Sequence, residues 1–265
     1  MKFQLLLLLL VLVTPNGYAQ SLEPKFEELK QVSQLPAKFP QRITALTWDG
    51  EKLWAAIYHD NGRYATFNPK NNEWKVDDNE KRLQSIRDVT GRGSSAGGMV
   101  FINKKLWFAG AYGDALGIVD TEQWTVEKVF KQKYQNDDSA SQSYSDITYD
   151  GKNIWIAWHW FKHQLPESQT QLLLKMNPET GAIVSEYSLP RLKAFTNGDG
   201  THGLTWDGKR LWHIRLGQLS AIDPDNGNVV VQYRMKQIKR PSGIVWDGEA
   251  FWIIEFEGEL WRLPM

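Results

Sequence analysis

Short apolar stretches in this chain come in pairs separated by a polar turn, and the pair recurs. Leu46-Thr47-Trp48 and Leu53-Trp54 flank Asp49-Gly50-Glu51-Lys52. Leu204-Thr205-Trp206 and Leu211-Trp212 flank Asp207-Gly208-Lys209-Arg210, and Ile244-Val245-Trp246 and Phe251-Trp252 flank Asp247-Gly248-Glu249-Ala250. A fourth copy, Ile147 to Trp155, has Tyr149 for the first Trp, and a fifth, Met99 to Trp107, lacks the Asp-Gly. Each copy reads as a strand, a turn and a second strand, with Gly supplying the positive φ and Asp tolerating it. Four copies are followed by a second hairpin, turning at Asn68-Pro69, Asp120-Thr121, Asn177 to Gly181 and Asp223 to Gly227.

Two consecutive hairpins make a four-stranded antiparallel sheet, and such sheets at intervals of 40 to 57 residues are blades. The pattern predicts an all-β fold, a five-bladed β-propeller of four-stranded antiparallel blades. A sixth blade would have to lie in 76–96 or 131–144, but every interval is one blade long. The last unit ends at Met265 with residues for only a third strand, so a segment within Phe26 to Leu35 is expected to complete that blade and close the ring. The recurring tryptophans are read as packing between blades. Function is therefore sought where the blades differ.

The first 19 residues form a basic start, an apolar run from Leu5 to Val13 and small residues at Gly17 and Ala19, which is the pattern of a secretory signal. This predicts residues 1–19 as a leader, 20–265 as a single propeller domain, and a periplasmic or extracellular location. The run is far shorter than the roughly 20 residues that span a bilayer, so no transmembrane segment is expected. The chain has no cysteine, which removes disulfides, thiolate metal sites and cysteine nucleophiles. Lys and Arg total 31, as do Asp and Glu, so the basic excess that nucleic acid requires is missing.

Loops entering the first strand and leaving the second share one end of a propeller. Asp146, Trp158, His159, His202, Arg215 and Glu255 are expected to converge there. Trp158 and His159 would form an aromatic lip for a peptide or glycan. Arg215 and Glu255, on adjacent blades, read either as a structural ion pair or as a substrate-orienting cation beside a general base, with His202 assisting. Arg92 lies in a Gly- and Ser-rich rim loop, Gly91 to Gly98, that lacks the ending of a P-loop. His159 and His163 are four apart on a strand, which does not present both rings to one ion, and Asp223 to Gly227 lacks the distal Glu of a calcium loop. No metal and no cofactor are expected.

Through Gly203-Leu204-Thr205-Trp206-Asp207-Gly208 and the turn Ile222-Asp223-Pro224, with the matching units at Trp48 and Trp246, the chain resembles the bacterial and plant glutamine cyclotransferase type of five-bladed propeller over nearly its whole length after the leader. The resemblance implies that fold, and an enzyme forming pyroglutamate from N-terminal glutamine. That family's pattern places a catalytic Glu directly after the aromatic of the first blade's second strand. Here the position is Ala55, and its equivalents are Phe108, Ile156, His213 and Ile253. No catalytic residue transfers, which leaves Glu255 or Asp146 as candidate bases. Two functions are thus expected: foremost a secreted propeller binding a peptide, glycan or protein partner at the loop end, and alternatively a cyclotransferase.

Overall fold

The structure is a computed structural model describing residues 23–36, 42–58, 63–77, 84–85, 88–89, 96–110, 115–131, 142–160, 171–189 and 203–265, except for the side chains of 77, 142, 143, 159, 160 and 171. A short 3-10 turn, Phe26–Glu28, leads into β1 (Lys30–Gln34). Blade 1 is β2 (Ile43–Trp48), β3 (Leu53–Ile57), β4 (Tyr64–Asn68) and β5 (Glu73–Asp77). Blade 2 is β6 (Ala96–Ile102), β7 (Lys105–Gly110), β8 (Ala115–Asp120) and β9 (Thr125–Lys131), and blade 3 is β10 (Gln142–Tyr149), β11 (Ile154–Trp160), β12 (Gln171–Met176) and β13 (Ile183–Ser188). Blade 4 is β14 (Gly203–Trp206), β15 (Leu211–Arg215), β16 (Gln218–Ile222) and β17 (Val229–Arg234). Blade 5 is β18 (Pro241–Trp246), β19 (Ala250–Glu255) and β20 (Glu259–Pro264), and β1 completes it in the order β1-β20-β19-β18.

All five sheets are antiparallel, and the inner strands β2, β6, β10, β14 and β18 touch one another in a closed cycle. The protein is a five-bladed propeller whose ring is closed by its N-terminal strand, as the sequence pattern predicts. Lys30 pairs with Arg262 and Gln34 with Glu259, while Leu35 N–H donates to Gly258 O at 2.9 Å.

The core is divided into five apolar clusters, one at each boundary between blades. Side chains alternate across each strand, so a blade has two faces to bury. The second-strand tryptophans Trp54, Trp107, Trp155, Trp212 and Trp252 all lie toward the following blade. The next residue in each, beginning with Ala55, lies toward the preceding one.

The Asp of the repeat has a job beyond its turn. In the first copy, Asp49 Oδ1 accepts from the backbone N–H groups of Glu51 and Lys52, and Oδ2 accepts from Trp54 Nε1 at 2.6 Å. The same three bonds recur at Asp150 with Trp155, Asp207 with Trp212 and Asp247 with Trp252. One carboxylate thus caps the turn and satisfies an indole N–H that burial would otherwise leave bare. These loops hold four residues, Gly at the second having φ between 92° and 105°. The exceptional copy in blade 2 uses a two-residue turn with Asn103 at φ 50° and Lys104 at φ 64°, the signature of a type I′ hairpin.

The second hairpins also share a design. Asn68, Asp120, Asn177 and Asp223 each accept at their carbonyl from the N–H four residues on, where Asn72, Trp124, Gly181 and Gly227 hold positive φ. Gly181 and Gly227 are small because the preceding blade's outer strand packs an aromatic there: an added Cβ would stand 2.4 Å from the rings of Phe130 and Tyr187. Phe130, Tyr187 and Tyr233 stack on Trp107, Trp155 and Trp212. In blade 1 the same register position holds Asp77. Trp124 of blade 2 enters from the other side instead, its ring 6.0 Å from that of Trp54.

Candidate functional site

The two inner hairpin ends differ in kind. At the turn end the connections are short and, apart from Asn103-Lys104 of blade 2, repeat from blade to blade. At the loop end the connections 216–217, 235–240 and 256–258 of blades 4 and 5 are described, whereas 37–41, 59–62, 78–83, 86–87, 90–95, 111–114, 132–141, 161–170 and 190–202 lie outside the described residues. Arg92 and His202 fall among these, as does the His159 side chain.

At the loop end the inner strands of blades 1, 2, 3 and 5 each carry a β-bulge, at Thr44, Gly97, Ser145 and Ser242. A bulge re-aims the residues that follow it. Thr44 uses its hydroxyl to reach the neighbouring blade, donating to Ala96 O at 2.6 Å. The position after the bulge lies against the next inner strand. There the Cβ that Gly98 lacks would stand 2.5 Å from Asp146 Cα, and that of Gly243 would stand 2.7 Å from Leu46 N.

Asp146 is the one large residue at this position. It is fully buried, and its carboxylate accepts from Ile147 N–H and Leu204 N–H, each at 2.8 Å, and from the backbone N–H of Met99. Three blades donate to a single carboxyl. Burial nonetheless dominates and pushes its pKa well above the usual carboxylate range, against the three hydrogen bonds that favour the ion.

Glu255 ends β19 and is also buried. Its Oε2 accepts from the N–H groups of Lys239 at 2.9 Å and Arg240 at 2.8 Å, and its Oε1 accepts from Trp261 Nε1 at 3.0 Å. The carboxylate is engaged by donors of its own blade, pinning the segment before β18. Trp158, expected at an exposed lip, is 2% exposed and packs in the cluster between blades 2 and 3 with Tyr144. Alternation along β11 turns it there.

Arg215, at the end of β15, is 1% exposed. Two residues earlier His213 shares its face, and burial followed by the Arg215 charge pushes the imidazole pKa down to about 3, so the ring is neutral at physiological pH. Ser220 and Gln232 lie directly across the sheet from His213, with Gln218 across from Arg215. Gln232 Nε2 donates to Ser220 Oγ at 3.2 Å, and all five border a small cleft with Leu189 of blade 3. This polar stripe interrupts an otherwise apolar boundary. Of these residues, Arg215 alone is among the candidates expected from the sequence. The legible signal was His213, standing where the other four blades place Ala55, Phe108, Ile156 and Ile253.

Among the described residues no group of three His, Asp or Glu side chains is placed to hold a metal, and no helix is long and apolar enough to cross a membrane. No protein-family model matches the chain, and no curated protein matches it. Among solved structures, the glutaminyl cyclase of Myxococcus xanthus superposes with a TM-score of 0.59 at 10% identity, over 89% of this chain and 95% of that one. A catalytically inactive virginiamycin B lyase from Staphylococcus aureus gives 0.49 at 16% identity, over 90% of this chain and 100% of that one. BamB from Moraxella catarrhalis gives 0.43 at 13% identity, over 88% of this chain and 63% of that one. At these identities the likeness is one of fold.

Proposed function

We propose that this chain is an exported binding propeller, made with a leader of residues 1–19, that takes a peptide, glycan or protein partner at the loop end over blades 3 and 4. The observation that carries the reading is the commitment of both candidate bases to structure. Asp146 holds three backbone donors, and Glu255 holds two backbone donors and an indole. A general base needs a lone pair within reach of the proton it removes. The residue where the cyclotransferase family keeps its acid, Ala55, is itself fully buried among apolar side chains. Binding chemistry is better served: Arg215, with His213, Gln218 and Ser220 on its face, brings polar groups to the end of the blade 3–4 boundary, and His159, His202 and Arg92 are the residues proposed to join them.

The test has two arms. Peptides beginning with glutamine are incubated with the mature protein and ammonia release is followed by mass spectrometry. Peptide and glycan arrays are probed with the same protein and with Arg215→Gln, its folding checked by circular dichroism. Saturable binding that weakens in Arg215→Gln, without ammonia release, supports the reading. Release of ammonia that Glu255→Gln or Asp146→Asn abolishes overturns it in favour of the cyclotransferase.

A further inference from the structure

Two departures from the repeat both fall in blade 2 and meet at one place. Asn103-Lys104 replaces the Asp-Gly turn, and Trp124 replaces the Gly or Asn that ends the other second hairpins. Lys104 and Trp124, with Trp54 of blade 1, border a cleft of about 360 Å³ at the turn end, opposite the loop end. Such a volume lies in the range of small-ligand sites.

Its walls are aromatic and its rim is acidic. The ring of Trp54 lies 5.6 Å from that of Phe101 and 6.0 Å from that of Trp124. Asp49, Glu51 and Glu122 border the same space, against the single ammonium of Lys104. Trp54 donates its indole N–H to Asp49, so its contribution to the cleft wall is the aromatic ring, made more electron-rich by the carboxylate at its nitrogen. The equivalent rings show what such a face attracts. Lys175 Nζ lies 4.8 Å over Trp155, Arg210 Cζ 4.9 Å over Trp212 and Arg262 Cζ 5.7 Å over Trp252, each of these indoles being bonded to its own Asp.

We propose that this cleft binds an arginine side chain presented by a partner polypeptide, with the guanidinium against the Trp54 face and its N–H groups toward Glu51 and Glu122. Charge complementarity selects a cation. Planarity selects arginine, because a guanidinium stacks on a ring and bonds a carboxylate through its edge at the same time, which an ammonium does not. The site is independent of the loop-end reading.

The experiment is isothermal titration of the mature protein with N-acetyl-arginine amide, set against its neutral isostere N-acetyl-citrulline amide, N-acetyl-lysine amide, choline and a neutral trisaccharide. The arginine amide is expected to bind saturably, about tenfold or more tighter than citrulline, and more weakly as salt rises. Glu51→Gln with Glu122→Gln, both exposed positions, is expected to weaken it about tenfold at an unchanged thermal midpoint. Glu179→Gln with Glu249→Gln, on turns of other blades, is expected to leave it unchanged. Citrulline binding as tightly as arginine, tighter binding of choline, lysine or the sugar, no saturable arginine binding, or full affinity in the double variant at the cleft each overturns the proposal.

Discussion

Trp212 donates its indole N–H to Asp207 Oδ2 at 2.6 Å, across the turn that joins their two strands. The indole is fully buried, so its only route to a hydrogen bond is through that turn. Asp207→Ala removes the acceptor and two turn caps together. A loss of about 2–4 kcal/mol is expected in urea unfolding. Asp207→Asn keeps one oxygen and should cost less.

The inner ring separates two kinds of glycine. Gly98→Ala would set a Cβ 2.5 Å from the backbone of blade 3, which cannot yield without moving a blade, whereas Gly50→Ala meets nothing within 4 Å and pays only for its φ of 102°. The expected costs are about 3 kcal/mol or more for Gly98→Ala and about 1–2 kcal/mol for Gly50→Ala. Thermal denaturation of the two variants checks the order.

His213 predicts a dependence on pH. Its pKa falls from 6.5 in the unfolded chain to about 3 in the fold, so between those values the unfolded state binds the extra proton. Stability from this group is complete above 6.5 and is lost as pH drops toward 3, by roughly 2 kcal/mol near pH 5. Asp146 acts in the opposite sense, because its raised pKa favours the fold at low pH and that contribution fades as pH rises above 3.8 toward the folded value. His213→Gln should therefore lose less stability than the parent between neutral pH and pH 5. Urea midpoints at the two pH values measure this.

At the first blade boundary, Trp124→Gly restores the residue of the other turns but removes the ring beside Trp54. A loss of about 2–4 kcal/mol is expected from the cavity, partly offset by release of the positive φ. Adding Asp77→Phe, which places an aromatic where Phe130, Tyr187 and Tyr233 stand, should recover part of it. A double-mutant cycle by urea unfolding is the check.

The leader proposed for residues 1–19 predicts a mature chain that begins near Gln20. N-terminal sequencing of material from outside the cytoplasm tests this. The fold tolerates such a start, since Lys25 N–H already bonds Pro264 O and Glu23 meets Tyr233.

Blade number, strand order and the closing strand were legible because a hairpin signal is local and was written five times. The Trp-Asp-Gly units mark both strands and the turn between them. What they hid was the bond from Asp to Trp, because nothing in a one-letter pattern says that residues five apart across a turn share a hydrogen bond. The role of Trp124 was equally hidden: its meaning lies in an absence, Asp77, nearly 50 residues away. The candidate site was less legible. Alternation alone could have turned Trp158 inward, yet its neighbours His159 and Trp160 suggested a surface. Asp146 was found as an oddity among small residues, but its three donors come from three blades and no sequence interval records them. Connections at the loop end share no sequence pattern, so the repeat that marks the blades leaves their residues unmarked.

The pairing of β1 with β20 also bears on how the molecule comes into being. The strand made first waits for the strand made last, and more than two hundred residues must be spanned before Lys30 meets Arg262. Closing so long a loop is entropically unfavourable, with a term that grows as the logarithm of its length, and contacts this remote slow the search for the native state. A partial chain therefore presents blades without a clasp and an edge on β19 or β20 with no neighbour. Such a protein is suited to assembling in one cooperative step, once both its ends are present together.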